Sequence, residues 1–308
     1  MKTNIFFKLI LLLFISILFY GCDKSKDNIY TVEYSNKPAI KNQTYIFGIH
    51  PLHNPKRLFE VYQPLVDYLN ANLKDVKIVL EASTNYAEYD KKLFSGHFDF
   101  SLPNPYQTVQ STEHGYKIFG KMGDDHNFKG IILVRKDSGI KKVSDLKGKS
   151  VSYPAPTALA ATMMPQRFLH DNGIDINKDI KNLYVGSQES SIMNVFLKES
   201  AAAATWPPPW IAFIKERPEI AQEVEIIWET ESLPNNGLVA RDNIDPVLVE
   251  QIASLIFDLH LSKEGRAILR PMELSRFEKA DNDTYQSVRV FLENFEKEIR
   301  PIRLNNDK

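Results

Sequence analysis

The sequence predicts an α/β protein of two lobes, with the second lobe inserted into the first. Three observations carry that expectation. From Thr44 onward, apolar runs of strand length alternate with stretches of helical periodicity. The alternation comes in two consecutive series, and a return strand, LVAR, follows the second. At 308 residues the chain is long enough for two cores. Two crossings between lobes make a hinge, and two hinged lobes make a cleft.

The elements follow in order. YIFGIH (45–50) reads as a strand, and KRLFEVYQPLVDYLNANL (56–73) carries Leu58, Tyr62, Leu65, Val66 and Leu69 on one helical stripe. VKIVLEA (76–82) is a second strand, and AEYDKKLFSG closes a helix at Gly96. FDFSLP (98–103), a helix from Pro105, YKIFGKM (116–122) and KGIILVRK (129–136) continue a βαβαβ series, the pattern of a mostly parallel sheet with helices on both faces. The second series opens with VSDLKGKSVSYPA (143–155), a short helix and a strand. ALAATMMPQRFLHDNG is a helix bent near Pro165 and ended by Gly173. NLYVG, SSIMNVFLKE, AAAATW and VEIIWETE complete the series, and LPNNG (233–237) leads to the return strand. PVLVEQIASLIFDLHL (246–261) and a final helix over roughly Thr284 to Ile299 close the chain. The first lobe is therefore expected over 44–133 and 237–308 and the second over 134–236, joined by KGIILVRKDSG and SLPNNGLVAR.

The N-terminus reads differently. Lys2 and Lys8 precede an apolar run, LILLLFISILFY, too short to span a bilayer, so residues 1–21 are expected to be a signal peptide. Gly21-Cys22 at its end resembles a bacterial lipobox, with Phe19 where that pattern prefers Leu. The resemblance implies a lipid on Cys22 and, through Asp23, retention on the periplasmic side of the inner membrane. Residues 22–43 are polar and unpatterned, the composition of a tether. Cys22 is the sole cysteine, so no intrachain disulfide can form.

Composition narrows the function classes. Lys and Arg number 38 against 39 Asp and Glu, and loss of Lys2 and Lys8 leaves a net charge of −3. That balance gives no support to a nucleic-acid partner. No nucleophile-elbow or HExxH pattern appears, so neither an enzyme nor a cofactor is expected. His50-Pro-Leu-His53 lacks a zinc spacing, and His50 is placed instead at the rim of the cleft, after the first strand. Asp124-Asp125 reads as a turn. Glu189 either favours its helix N-terminus or faces a cationic ligand group.

FGIHPLHNPKRLFEVYQPLVDYL, GHFDFSLPNPYQTV, ILVRKDSGIKKVSDLKGKSVSYP and the helix start at GSQESS together resemble the PhnD-type substrate-binding proteins of phosphate, phosphite and phosphonate ABC importers. The likeness runs from about Tyr45 to Ile299. It implies a type II periplasmic-binding-protein fold, a monomer without cofactor or metal, and a small anionic ligand held between the lobes for an ABC permease. A sensory protein presenting a small organic anion to a membrane receptor or kinase is the alternative. The implied contacts are Tyr86, Asn104 and Tyr106 on the first lobe, with His50 at its rim, and Thr157, Ala158, Leu159 and Gln188 on the second.

The chain departs from that family where its members carry a Ser/Thr-rich turn, because PAPTALAATMMP (154–165) keeps only Thr157 and Thr162 as hydroxyl donors. Backbone donors at a helix start survive such a change. The family's acidic residue falls within Ala201–Ala204, where small side chains are expected to leave volume in the cleft. WPPPW (206–210) follows, and three prolines favour an extended polyproline stretch. Trp206 is accordingly expected to contact ligand with Trp210 behind it; otherwise both are core residues under the hinge.

Overall fold

The computed structural model describes residues 43–302. The signal peptide, the lipidation site Cys22 and all of the tether but Gln43 lie outside the described residues.

Eleven strands of the described residues form two sheets. The first holds six strands in the order β11-β4-β10-β3-β1-β2, with β1 at Gln43–Ile49, β2 at Val76–Glu81, β3 at Phe100–Leu102, β4 at Tyr116–Met122, β10 at Gly237–Arg241 and β11 at Phe277–Lys279. The second holds five in the order β7-β6-β8-β5-β9, with β5 at Lys129–Arg135, β6 at Ser150–Tyr153, β7 at Lys181–Tyr184, β8 at Ala202–Thr205 and β9 at Val224–Ser232. β1 runs parallel to β2 and β3, and β6 runs parallel to β7 and β8. Three strands, β4, β5 and β10, lie between neighbours they oppose. Of these, β5 and β10 are each the first strand after a crossing. A chain that leaves one lobe at its cleft end enters the other at the cleft end too, and must run back.

That geometry corrects the expected crossing. β5 pairs throughout with β8 and β9, so the strand divided at 133/134 by the sequence reading belongs wholly to the second sheet. The chain crosses first at 123–128, GDDHNF, and returns at 233–236. Asp124 and Asp125 are thus hinge residues as well as turn residues. Asp124 sits at φ 57° and its carboxylate accepts from the Ser275 N–H and Oγ at 2.7 and 2.6 Å. Asp125 Oδ1 accepts from Lys121 Nζ at 2.8 Å and from the N–H of Asn235, in the other segment, at 3.0 Å. Asn235 Nδ2 donates to the Gly123 carbonyl at 2.7 Å, and Tyr285 Oη donates to the Asn235 carbonyl at 2.6 Å.

The bend expected near Pro165 is a π-helical turn, Leu159–Met163, running into a helix at Met164–Asp171. Proline offers no N–H, and a widened turn at this point spares the ladder the clash a regular helix would meet. The turn lies directly on β5. A Cβ on Gly130 would come within 2.6 Å of both the Ala160 carbonyl oxygen and Pro165 Cδ.

The largest cluster of buried apolar side chains joins both lobes, from Phe47, Leu102 and Tyr86 in the first to Tyr153, Ala158 and Trp206 in the second. The cleft faces therefore meet.

Candidate functional site where the lobes meet

Strand ends build the site. In a parallel sheet the carboxyl ends of neighbouring strands open onto one edge, and the loops after them converge there. β1 delivers His50, the loop after β2 delivers Tyr86, and β3 delivers Asn104. The second lobe answers with Thr157 after β6, Gln188 after β7 and Trp206 after β8.

On the first lobe these side chains are braced before the second lobe touches them. Asn104 caps the helix Pro105–Ser111 in a reciprocal pair: its Oδ1 accepts from the Gln107 N–H at 3.0 Å, and Gln107 Oε1 accepts from the Asn104 N–H at 2.9 Å. With its Oε1 fixed, Gln107 aims Nε2 at Asp90 Oδ1, 2.6 Å away. Asp90 lies one helical turn after Tyr86 on the helix Tyr86–Phe94, so both face the same way. His50 Nδ1 donates to the Leu102 carbonyl at 2.8 Å, and its ring lies 6.3 Å from those of Tyr86 and Tyr89.

Three hydrogen bonds made by these groups then cross between the lobes. Asn104 Nδ2 donates to the Thr157 carbonyl at 3.1 Å, Thr157 Oγ1 donates to Asp90 Oδ2 at 3.3 Å, and Gln188 Nε2 donates to Tyr86 Oη at 3.3 Å. Gln188 is oriented from behind, since its Oε1 accepts from Thr205 Oγ1 at 2.8 Å. Four of the sequence-predicted residues, Tyr86, Asn104, Thr157 and Gln188, are thereby brought together. Ala158 and Leu159 are buried beside them at the start of the π turn. The N–H groups of Leu159, Ala160 and Ala161 stand in that first turn, where a helix has no carbonyl of its own to offer them.

Burial dominates the electrostatics. It pushes the Asp90 carboxyl up to about 7, against the opposing pull of the Gln107 and Thr157 hydrogen bonds. Burial also pushes the Tyr86 phenol up and holds His50 down at about 4, so His50 is neutral, with Nδ1 carrying the proton. At the rim, His53 Nδ1 stands 3.7 Å from Glu189 Oε1 of the other lobe. Burial lowers His53; burial would raise Glu189, but its contacts with His53 and with the backbone N–H groups of Glu189 and Asn54 together outweigh that and hold it below the usual carboxylate range. An Arg57–Glu216 ion pair closes the same rim around a cavity of about 190 Å³. Among the described residues no group of three or more His, Cys, Asp or Glu side chains converges as a metal site would require.

The remaining predicted residues lie elsewhere. Tyr106 is buried and makes none of the crossing hydrogen bonds; it lines a cavity with Leu292, Glu296 and Ile302 at the C-terminal end, and burial, with Asp90 nearby, pushes its phenol up. Trp206, 3% exposed, packs its ring 5.4 Å from Phe128 of the first hinge segment. Trp210 is not behind it but in a separate core with Ile131, Leu133 and Ile192. The prolines are not extended polyproline: Pro207–Pro209 form the first turn of the helix Pro207–Glu216, capped by Trp206. First-turn N–H groups have no intrahelical partner in any case, so prolines there forfeit nothing and their fixed φ suits the turn. The alanines leave no room in the cleft. Ala202–Thr205 is the central strand β8, buried on both sides, and Ser191 of the helix Gln188–Phe196 comes close enough to donate from Oγ to the Ala204 carbonyl at 2.9 Å.

Sequence reasoning missed Asp90, Gln107, Thr205 and Arg300. Asp90 sits on the buried stripe with Tyr86, Tyr89 and Leu93, and a carboxylate on an apolar stripe is a readable signal. The Asn104–Gln107 spacing is that of a capping box. Thr205 carries no local signal. Arg300, after the final helix Gln286–Glu298, reaches the second lobe with Nε on Gln166 Oε1 at 2.9 Å and Nη2 on the Pro156 carbonyl at 2.8 Å.

Comparison with known proteins places this arrangement. The family model described as the periplasmic substrate-binding protein of a phosphonate ABC transporter matches residues 47–285. Among solved structures, PhnD1 from Prochlorococcus marinus in complex with methylphosphonate superimposes with a TM-score of 0.77 at 19% identity, covering 83% of this chain and 99% of that one. A binding-protein component of a phosphonate ABC transporter from Pseudomonas aeruginosa gives 0.76 at 18% identity, covering 83% and 87%. The alkanesulfonate-binding protein SsuA from Xanthomonas axonopodis pv. citri, bound to MOPS, gives 0.61 at 15% identity, covering 87% and 96%. These share the mixed α/β, two-sheet architecture of type II periplasmic binding proteins.

Proposed function

This chain belongs to the periplasmic substrate-binding proteins of phosphonate ABC transporters, and from that membership we propose that it closes its two lobes on a small phosphonate-like oxyanion and presents the closed form to a membrane permease. Tyr86, Asn104, Thr157 and Gln188 are the proposed ligand contacts, with the N–H groups of Leu159–Ala161 as the oxyanion donors. The observation that carries this reading is the set of hydrogen bonds crossing between the lobes, made by these same polar groups at the strand ends. Groups that bind one another across a cleft can exchange those bonds for bonds to a solute. Charge-assisted hydrogen bonds are worth about 1.5–3 kcal/mol each, so a few suffice to offset the dehydration of an anion. Ala158 matters here by what it lacks, since backbone donors remain usable where a side-chain hydroxyl is gone.

His50 and Trp206 are proposed to shape the site rather than to touch the solute, His50 by orienting the Leu102 end of β3 and Trp206 by packing under the hinge. Tyr106 is proposed to act with the C-terminal segment. The lobes are proposed to be 43–122 with 237–298, and 129–232. A lipid on Cys22 is the proposed anchor to the inner membrane, and a monomer the proposed working unit. Loss of radiolabelled fatty-acid incorporation in Cys22→Ser checks the anchor.

Thermal shift and titration calorimetry on residues 24–308 test the binding reading with methylphosphonate and inorganic phosphate. Saturable stabilisation by one of them is expected, weakened about tenfold or more in Asn104→Ala, the loss of about one good hydrogen bond. Stabilisation by neither would end it.

A further inference from the structure

We propose that Arg300 is a positioning residue for the oxyanion grip: it brackets the π-helical turn Leu159–Met163 from both ends and so sets the aim of the turn's N–H groups when the lobes close. That those groups hold an oxyanion rests on the reading above; that Arg300 holds the turn does not.

Arg300 follows the final helix, Gln286–Glu298, and its guanidinium lies 5.1 Å from the centroid of the Phe295 ring on that helix. The side chain is thus based on the first lobe while its donors reach the second. Nη2 donates to the Pro156 carbonyl at 2.8 Å and Nε to Gln166 Oε1 at 2.9 Å. Pro156 precedes the turn and Gln166 follows it. Gln166 is fully buried and pinned on its other side, where Nε2 donates to Tyr184 Oη at 3.1 Å. The neighbours of Arg300 cross as well: the Ile299 carbonyl accepts from Asn177 Nδ2 at 3.0 Å, and Glu298 pairs with Arg167 at 2.8 Å.

The loop entering the turn needs such a hold. Pro154-Ala155-Pro156-Thr157 carries two prolines, which bring no N–H, so the loop is fixed through its carbonyls. Those of Pro154 and Ala155 accept within the second lobe, from the Gly186 N–H at 2.8 Å and the Ala158 N–H at 3.2 Å. Those of Pro156 and Thr157 accept from across the cleft, from Arg300 and Asn104. A π turn is short and departs from the regular helical ladder, so the direction of its leading N–H groups depends on what holds its ends. A guanidinium suits that task. Its donors are fixed in one plane and serve two acceptors at once, whereas an ammonium is a single point.

Hydrogen exchange read by mass spectrometry tests the bracket without any solute. In Arg300→Ala the amides of 157–164 should exchange about tenfold or more faster than in the unaltered chain, with β1 and β2 unchanged. Calorimetry and stopped-flow with methylphosphonate then read the grip. Affinity should fall about 10- to 100-fold, the value of one charge-assisted hydrogen bond, through faster dissociation at an unchanged association rate. Arg300→Lys keeps the charge and guards against a folding defect in the alanine variant; it should restore neither protection nor affinity. Unchanged exchange in the turn, an equal rise along the whole chain, or full recovery in Arg300→Lys overturns the bracket and leaves the phosphonate reading intact. If neither methylphosphonate nor inorganic phosphate binds the unaltered chain, yet the turn alone loses protection in Arg300→Ala, the bracket stands and the phosphonate reading falls.

Discussion

The two lobes share an architecture and differ in what they bring to their common surface. The first presents polar side chains already tied to one another: Asn104 to Gln107, Gln107 to Asp90, His50 to the end of β3. The second presents main chain and small apolar groups. The Thr157 carbonyl and the turn at Ala158–Ala160 come to the surface on a widened helical start, with Gln188 as the principal side chain. The contrast teaches that recognition and closure can be divided between lobes. A braced set of side chains loses little conformational entropy on binding and suits discrimination. Backbone donors are indifferent to side-chain identity and suit a general grip on an oxyanion.

The contrast can be broken in several ways. Trp206→Ala has the largest expected effect, a loss of about 3–5 kcal/mol in thermal or denaturant unfolding, because it empties the contact with Phe128 under the hinge. Near-unchanged stability would show that the second lobe's large aromatic is spent on ligand instead.

Asp90→Asn comes next and has a sign that depends on pH. The Asp90 pKa is raised in the folded protein to about 7 from 3.8, so on going from pH 4 to pH 7 the unfolded chain releases a proton that the folded chain keeps. The carboxyl therefore costs stability progressively as pH rises through that window, up to about 4 kcal/mol above it. The amide carries no such cost. Asp90→Asn should match the unaltered chain near pH 4 and exceed its stability at pH 8, as read by urea unfolding at both values.

Asn104→Ala removes both the helix cap and the contact to Thr157 and should cost about 1–2 kcal/mol in stability, alongside its roughly tenfold loss of affinity. Thr157→Val keeps the carbonyl and should change affinity less than Asn104→Ala does; a larger loss would move discrimination to the second lobe. Glu216→Gln, breaking the rim pair with Arg57, is expected to cost at most about 1 kcal/mol, since exposed pairs contribute little.

Most of the fold was legible in the sequence because strand runs and helical stripes announce themselves locally. The crossings were not. GIILV reads equally well as the last strand of one sheet or the first of the next, and only pairing with Ala202–Thr205 decides. WPPPW misled for a related reason: the same φ serves polyproline and the first helical turn, and the residues after the prolines tell the two apart. In the site, residues named by resemblance, such as Asn104 and Gln188, were found together. Asp90 and Thr205 were not anticipated, since their importance lies in which residues approach them from positions 67 and 17 away in the chain.

The hinge reaches further than its size. Asp125 holds Lys121 of the outgoing strand and the Asn235 amide of the returning segment, and Asn235 holds the Gly123 carbonyl in turn. The two connecting ropes are stapled into a single torsion bar. A bar tied in this way resists sideways sliding and splaying more than it resists twisting. Solutes of different bulk would then arrest the swing at different angles along one arc, and a transport partner that senses that angle gauges the cargo without ever contacting it.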